Sequence, residues 1–189
     1  MVAITVDQFI DHVIAWAQDR AVQFKFNWPV KGGWEGWIQV DLTAYLLNID
    51  SAYEILREQP IYADPRQRVD LLLNASMGDD CVIPVEIKAE SFENRMGPFI
   101  SGTKNDIRKL NDDRNTDYSE TTCVMISIPF SQESLKAISE IEEDGHRIFR
   151  TIYVGEVAIA VAIYTEASGW LHDSNNVPLM RKGGFRSIA

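Results

Sequence analysis

What this chain is short of narrows what it can be. Its 189 residues hold two cysteines and three histidines. Cys81 and Cys123 form no CxxC pair and have no histidine beside them. That spacing gives no zinc site, and a reduced pair packed as small hydrophobes is expected. His12, His146 and His172 are scattered, with no serine or carboxylate arranged around them as a catalytic triad. No apolar run approaches the roughly 18 residues that cross a bilayer. Met1 leads into a short amphipathic segment rather than the basic and apolar regions of a leader. A cytoplasmic protein without membrane contact is expected. The stretch "VKGGWEGW" is glycine-rich but follows no strand and lacks GxxxxGK, so it is no phosphate loop. Positive charge is scarce too: 18 basic residues stand against 28 acidic ones, for a net charge of −10. A broad electrostatic footprint for nucleic acid is therefore missing. The balance fits a protein that meets a basic partner, or an enzyme whose acidic site takes cations.

Apolar residues, by contrast, are plentiful. They make up 46% of the chain and include five Trp and eight Phe. This is enough for a sizeable core, and one domain over residues 1–189 is expected. "TVDQFIDHVIAWAQDRAVQF" reads as a helix, with Thr5 and Gln8 as a capping box and Phe9, Val13, Trp16 and Ala17 at helical spacing. "WEGWIQVDLTAYLLN" reads as a second helix. The period then becomes extended in "AYEILREQPIY", "RVDLLLN" and "CVIPVEIKAE". "GTKNDIRKLNDDR" reads as a helix of modest amphipathicity and "TTCVMISIPF" as a strand. Ser131 caps a further helix, "SQESLKAISEIEED", expected to stop at Gly145. "RIFRTIYVGEVAIAVAIYTE" suggests two strands turning at Gly155. The last 20 or so residues, with Pro178 and Gly183–Gly184, look irregular. The implied fold class is α/β, in the α+β mixed sense: a central mixed sheet flanked by helices. A helix between the third and fourth strands permits a parallel pair there.

The informative stretch is "CVIPVEIKAES", where Glu86 and Lys88 interrupt an otherwise apolar strand. Desolvating charge is costly, so such residues need a reason. If "RVDLLLN" and "CVIPVEIK" form a hairpin turning at Gly78, facing residues have numbers summing to 156. Asp70 then faces Glu86, Leu72 faces Pro84 and Asn74 faces Val82. Alternation puts Asp70, Glu86 and Lys88 on one face, with Val69, Leu71, Leu73, Val85 and Ile87 on the other. Facing Cβ atoms are roughly 4.5–5.5 Å apart, and like charges there destabilise a sheet. Two facing carboxylates want a proton, an ammonium or a metal between them. Mg²⁺ is held by one or two carboxylates together with water and phosphate. Pro84, two residues before Glu86, removes a ladder donor and suggests a bulge.

Asp70 followed by Glu86-Ile87-Lys88, with Glu35 on the preceding helix, resembles the PD-(D/E)XK nuclease superfamily, the restriction-endonuclease-like fold. The resemblance covers about residues 34–130. It leaves outside it the N-terminal helix and a β-rich C-terminal extension. It implies a metal-dependent nuclease acting on phosphodiester bonds, on DNA ahead of RNA, with Mg²⁺ or Mn²⁺ as cofactor. Asp70, Glu86 and the backbone carbonyl of Ile87 would be metal ligands, with Glu35 a further ligand, direct or through water. Lys88 would orient the attacking water and offset charge on the phosphate. Cutting both strands of a duplex symmetrically would call for a homodimer. The proline of the signature is replaced by Val69.

Several further residues are candidates for substrate contact. Gln39 lies one turn after Glu35 and faces the same side. Ser91 follows the motif. Lys104, Arg108 and Lys109 on the next helix, Arg66 and Arg68 before Asp70, and the more distant Arg147, Arg150, Arg181, Lys182 and Arg186 supply local positive charge. Each of these also reads as an ordinary solvated residue. The acidic balance keeps a second class of function open: a non-catalytic binding protein on the same fold, such as an immunity or inhibitor protein for a basic partner.

Overall fold

The structure, a computed structural model, describes residues 2–78 and 80–172. The irregular tail expected from the sequence, with Arg181, Lys182 and Arg186, lies outside the described residues. Two helices come first, α1 (Val6–Asn27) and α2 (Trp34–Ile49). Three strands follow: β1 (Ile55–Gln59), β2 (Val69–Leu73) and β3 (Ile83–Ala89). Then come α3 (Met96–Asp112), β4 (Cys123–Ile128) and α4 (Gln132–Ser139). A small ribbon of β5 (Glu142–Glu143) and β6 (His146–Arg147) leads to β7 (Arg150–Val154), β8 (Val157–Thr165) and β9 (Gly169–Trp170).

The main sheet has seven strands in the order β1-β2-β3-β4-β8-β7, with β9 on β8. Every pairing is antiparallel except β3 with β4, which α3 connects. A crossover helix is what a parallel neighbour requires. Helices α1 and α2 pack one face of the sheet and α3 and α4 the other. On the first face the buried stripe of α1 (Phe9, Val13, Trp16, Ala17) meets Ile38, Leu42 and Leu46 of α2 and the inward residues of β2, β3, β4, β7 and β8. Helix α1 and the β7–β8 hairpin thus share one apolar cluster with the stretch 34–130.

Local chemistry explains most boundaries. Both hydrogen bonds of the Thr5–Gln8 capping box form at the start of α1. Ser131 Oγ accepts from Ser134 N–H at the start of α4. Two helix limits differ from the sequence expectation. Helix α3 begins at Met96, because Pro98 falls in its first turn, where the missing N–H has no intrahelical partner to lose. Helix α4 ends at Ser139, and residues 142–147 form the β5–β6 ribbon instead. Asp144 (φ 51°) and Gly145 (φ 77°) both take the left-handed conformation that a tight two-residue hairpin demands.

The β2–β3 register is the expected one: Leu71 faces Val85, Leu72 faces Pro84 and Leu73 faces Ile83. No bulge occurs at Pro84. It lies near the start of its strand, and the parallel ladder with β4 begins only at Val85. The link closing the hairpin is fastened by Asn74, which is fully buried with φ 60°. Its Oδ1 accepts from Ile4 N–H at 3.0 Å, and its Nδ2 donates to the carbonyls of Ile4 at 2.9 Å and Cys81 at 2.7 Å. Asn74→Ala would orphan three backbone groups in the interior. We expect it to cost about 3 kcal/mol, read as a lower urea midpoint at unchanged m value.

Candidate active site at the fork of the sheet

Strand alternation fails at one place. Leu71 and Leu73 face α1 and α2, but Val69 joins Leu72, Ile61, Tyr62 and Val82 in a cluster on the other side. The expectation that Val69 shares a face with Leu71 is thus corrected, and the break falls on Asp70. Three further observations mark the same spot. The β1–β2 register pairs Arg57 with Leu71 and Gln59 with Val69 but skips Glu58 and Asp70. Glu58 has φ 54°, a conformation that costs a non-glycine residue about 1–2 kcal/mol. The β2–β3 pairing ends at Leu71–Val85, whereas β3 runs on to Ala89 beside β4 alone. Strands β2 and β3 therefore fork. Asp70 Oδ2 enters the gap and accepts from the Ile87 N–H at 2.7 Å.

Four elements bring charged groups to this fork. Asp70 lies near Glu86, whose charge and hydrogen bond favour a protonated Asp70 carboxyl. Burial and the charge of Glu86 push the Asp70 carboxyl up to about 9, against the pull of the Ile87 N–H. Glu86 is 2% exposed. Burial and Asp106 raise it as well, while Lys109 holds it back. Its Oε1 accepts from Tyr62 Oη and from Lys109 Nζ. Lys109 also bonds Asp106 Oδ1 at 2.8 Å. Lys88 Nζ lies 2.8 Å from Glu35 Oε1 and 3.8 Å from Asp106 Oδ2. Burial pulls the Lys88 amine down, but Glu35, Asp106 and Asp70 outweigh it and hold the amine above its usual value. The result is an alternating chain, Glu35–Lys88–Asp106–Lys109–Glu86, with Asp70 at its end.

The expected site residues therefore divide. Asp70, Glu86, Lys88 and Glu35 do come together. Glu35 serves as an anchor, because its Oε1 takes the Lys88 ammonium and its Oε2 takes the Ala89 N–H at 3.1 Å. Each Glu35 oxygen has one partner, as each Asp70 oxygen does, so its expected part as a further ligand, direct or through water, stays open. Gln39 is buried and faces inward. It donates to Asp70 Oδ1 at 2.7 Å and accepts from Arg57 at 2.8 Å, and so orients Asp70. Ser91 Oγ accepts from the Asn94 N–H. It lines a groove of ≈ 280 Å³ that also meets Glu35 and Ala89. Lys104 and Arg108 point away from the fork on the exposed side of α3, with Arg108 paired to Asp113. Arg66 closes on Asp64 and Arg68 on the carbonyl of Pro65. Lys109 is inside the network rather than free for a phosphate backbone.

Tyr62, Arg57 and Asp106 join the site without being among the residues expected from the sequence. Asp106 had a signal: it falls on the buried stripe of α3 with Phe99, Thr103, Ile107 and Leu110, where a carboxylate needs a partner. Tyr62 and Arg57 had none, because they reach the site only through the path of β1 and the loop after it.

Compared with known protein families, with curated proteins and with solved structures, the chain matches none. What the fork can do is argued from its own geometry. Among the described residues, Glu35, Asp70, Glu86 and Asp106 face two ammonium groups, Lys88 and Lys109, which leaves two negative charges in excess when all are ionised. That excess and an all-oxygen donor set suit a hard divalent cation. Among the described residues no three His, Cys, Asp or Glu side chains gather as a ready ligand cluster. The chain offers two carboxylates, as Mg²⁺ sites that leave the rest to water and phosphate do.

Proposed function

We propose that this protein is a metal-dependent phosphodiesterase of the PD-(D/E)XK type, acting on nucleic acid, with DNA ahead of RNA. The observation that carries this reading is the Asp70–Glu86 pair at the fork, with the Lys88 ammonium fixed beside it. Asp70 and Glu86, with the Ile87 carbonyl, would hold Mg²⁺ or Mn²⁺. Such a cation lowers the pKa of a bound water and neutralises charge on phosphoryl oxygens. Gln39 and the Ile87 N–H fix the Asp70 carboxylate, and Tyr62 and Lys109 fix that of Glu86. Lys88, held by Glu35, stays protonated and faces the charge that builds on the phosphate. Its ammonium also offsets part of the repulsion that an anionic strand meets at an acidic protein.

The test uses the whole protein at low salt with supercoiled plasmid, single-stranded DNA and RNA, with Mg²⁺ or Mn²⁺ and with chelator. Cleavage that needs the cation is expected, together with a rise in melting temperature on adding it. At 100 times its dissociation constant the cation stabilises by about 2.7 kcal/mol. No cleavage of any polymer and no cation binding by calorimetry would end this reading. The net charge of −10 would then favour an acidic binding protein for a basic partner.

A further inference from the structure

Helix α3 passes the site unusually close at one residue. A Cβ on Gly102 would lie 2.9 Å from Lys88 Cε and 3.3 Å from its Cδ. Four residues on, Asp106 stands on the same side of the helix, with its Oδ2 3.8 Å from Lys88 Nζ. Asp106 is 7% exposed, and its other oxygen is engaged by Lys109. Across the cleft, Glu35 of α2 holds the same ammonium at 2.8 Å. The stem of Lys88 thus runs through a notch that exists because residue 102 has no side chain. Glycine inside a helix is unfavourable, so the notch is maintained against helix stability.

We propose that Gly102 and Asp106 are positioning residues for Lys88: the first admits its stem past α3, and the second holds its ammonium opposite Glu35 and above the Asp70–Glu86 pair. The catalytic consequence rests on the phosphodiesterase reading, whereas the placement of Lys88 does not. A methyl group at residue 102 meets only the flexible end of a lysine. The fold can absorb that by moving the side chain, and moving the side chain is what displaces the ammonium.

The experiment compares the full chain with Gly102→Ala, Asp106→Asn and a control, Gly97→Ala, at a position of the same helix where a Cβ meets nothing within 4 Å. The Lys88 ammonium is followed by nitrogen NMR at low temperature, where only a held ammonium gives a slowly exchanging signal. Gly102→Ala should shift or erase that signal with the melting temperature within about 2 °C of the parent, because the gain in helix propensity offsets the displaced ion pairs. Asp106→Asn should shift it, because Glu35 still holds the ammonium at 2.8 Å while the 3.8 Å ion pair is lost, and Gly97→Ala should leave it in place. In cleavage assays Gly102→Ala should lower kcat about 100-fold, as a reacting group misplaced by about 1 Å does, with KM and cation affinity within twofold. An unchanged Lys88 signal in Gly102→Ala, with kcat within twofold, would overturn the proposal. If the parent protein cleaves nothing, the phosphodiesterase reading fails, and the Lys88 signal still decides the placement.

Discussion

Lys88→Met should cut cation-dependent cleavage by about 100- to 1000-fold, the range for removing one electrostatic donor from an enzyme site, while cation binding survives. Methionine keeps an unbranched stem in the notch beside Gly102 and removes only the ammonium. Two carboxylates, Glu35 and Asp106, then lose a shared counter-charge. Glu35 still accepts from the Ala89 N–H, and Asp106 still holds Lys109. The Lys88 and Glu35 side chains are 25% and 33% exposed, so solvent screens the loss. A stability cost of about 1 kcal/mol is expected, small enough for the variant to be purified folded. Cation affinity should rise severalfold, because one positive charge leaves a site that attracts cations. Calorimetry and a cleavage time course on the same preparation check both halves. Cleavage within tenfold of the parent would show that Lys88 is a structural counter-ion and not part of the chemistry. Glu35→Gln should be milder, about tenfold, because its amide oxygen can still take the Ala89 N–H while Lys88 keeps only Asp106.

The division between what sequence reading reached and what it did not follows from the range of the interactions involved. Caps act within three residues, and Thr5–Gln8 and Ser131–Ser134 are as expected. The hairpin register follows from period-two patterning: residues summing to 156 do face one another from Leu71–Val85 to Leu73–Ile83. That register points Asp70 toward Glu86, but the pairing stops one residue short, and the fork that carries Asp70 to the Ile87 N–H is not part of the period-two pattern. Beyond the hairpin the information thins. Glu35 meets Lys88 across 53 residues, and Tyr62 meets Glu86 from a loop whose path no local pattern dictates. The sequence therefore marks Glu35 as a site residue without showing that it holds an ammonium. The left-handed Glu58 and the reversed face of Val69 are enforced by tertiary packing against propensity, and neither residue type announces it. Gly145 reads in the sequence as a helix stop; with Asp144 it instead turns the β5–β6 ribbon, which the local pattern of α4 does not announce. Gly102 opens the helix expected from the sequence, so nothing marks it there; only the longer α3 puts it in a helix interior, and the lysine stem it admits comes from β3, outside its own element.

The Asp70 carboxyl should make the cation-free protein lose stability as pH rises. Its ordinary value is 3.8, and in the fold it is pushed up to about 9 by burial and by Glu86. Between those values the folded chain holds a proton that the unfolded chain has released. Folding then takes up a proton, and stability falls with increasing pH. The contribution is fully present below about pH 4 and is gone once pH passes about 9. One proton corresponds to at most about 1.4 kcal/mol per pH unit, seen as a falling urea midpoint between pH 5 and 9. Asp70→Asn removes both the titration and the repulsion with Glu86. It should flatten this slope and make the cation-free protein more stable at pH 8 by about 1–3 kcal/mol, although one acceptor of Gln39 or Ile87 is weakened. The same proton competes with the cation. Affinity for Mg²⁺ or Mn²⁺ should rise up to tenfold per pH unit toward pH 9, with about one proton released on binding, measurable by calorimetry in buffers of different ionisation enthalpy. Asp70→Asn should abolish the cation-induced rise in melting temperature altogether. On the phosphodiesterase reading, a carboxylate pair kept at a cost to stability should be relieved by either a proton or a divalent ion. A cation-free stability flat from pH 5 to 9, with no proton released on adding Mg²⁺, would instead mean that Lys109 and Lys88 already neutralise the fork and that its charges are there to hold the helices to the sheet.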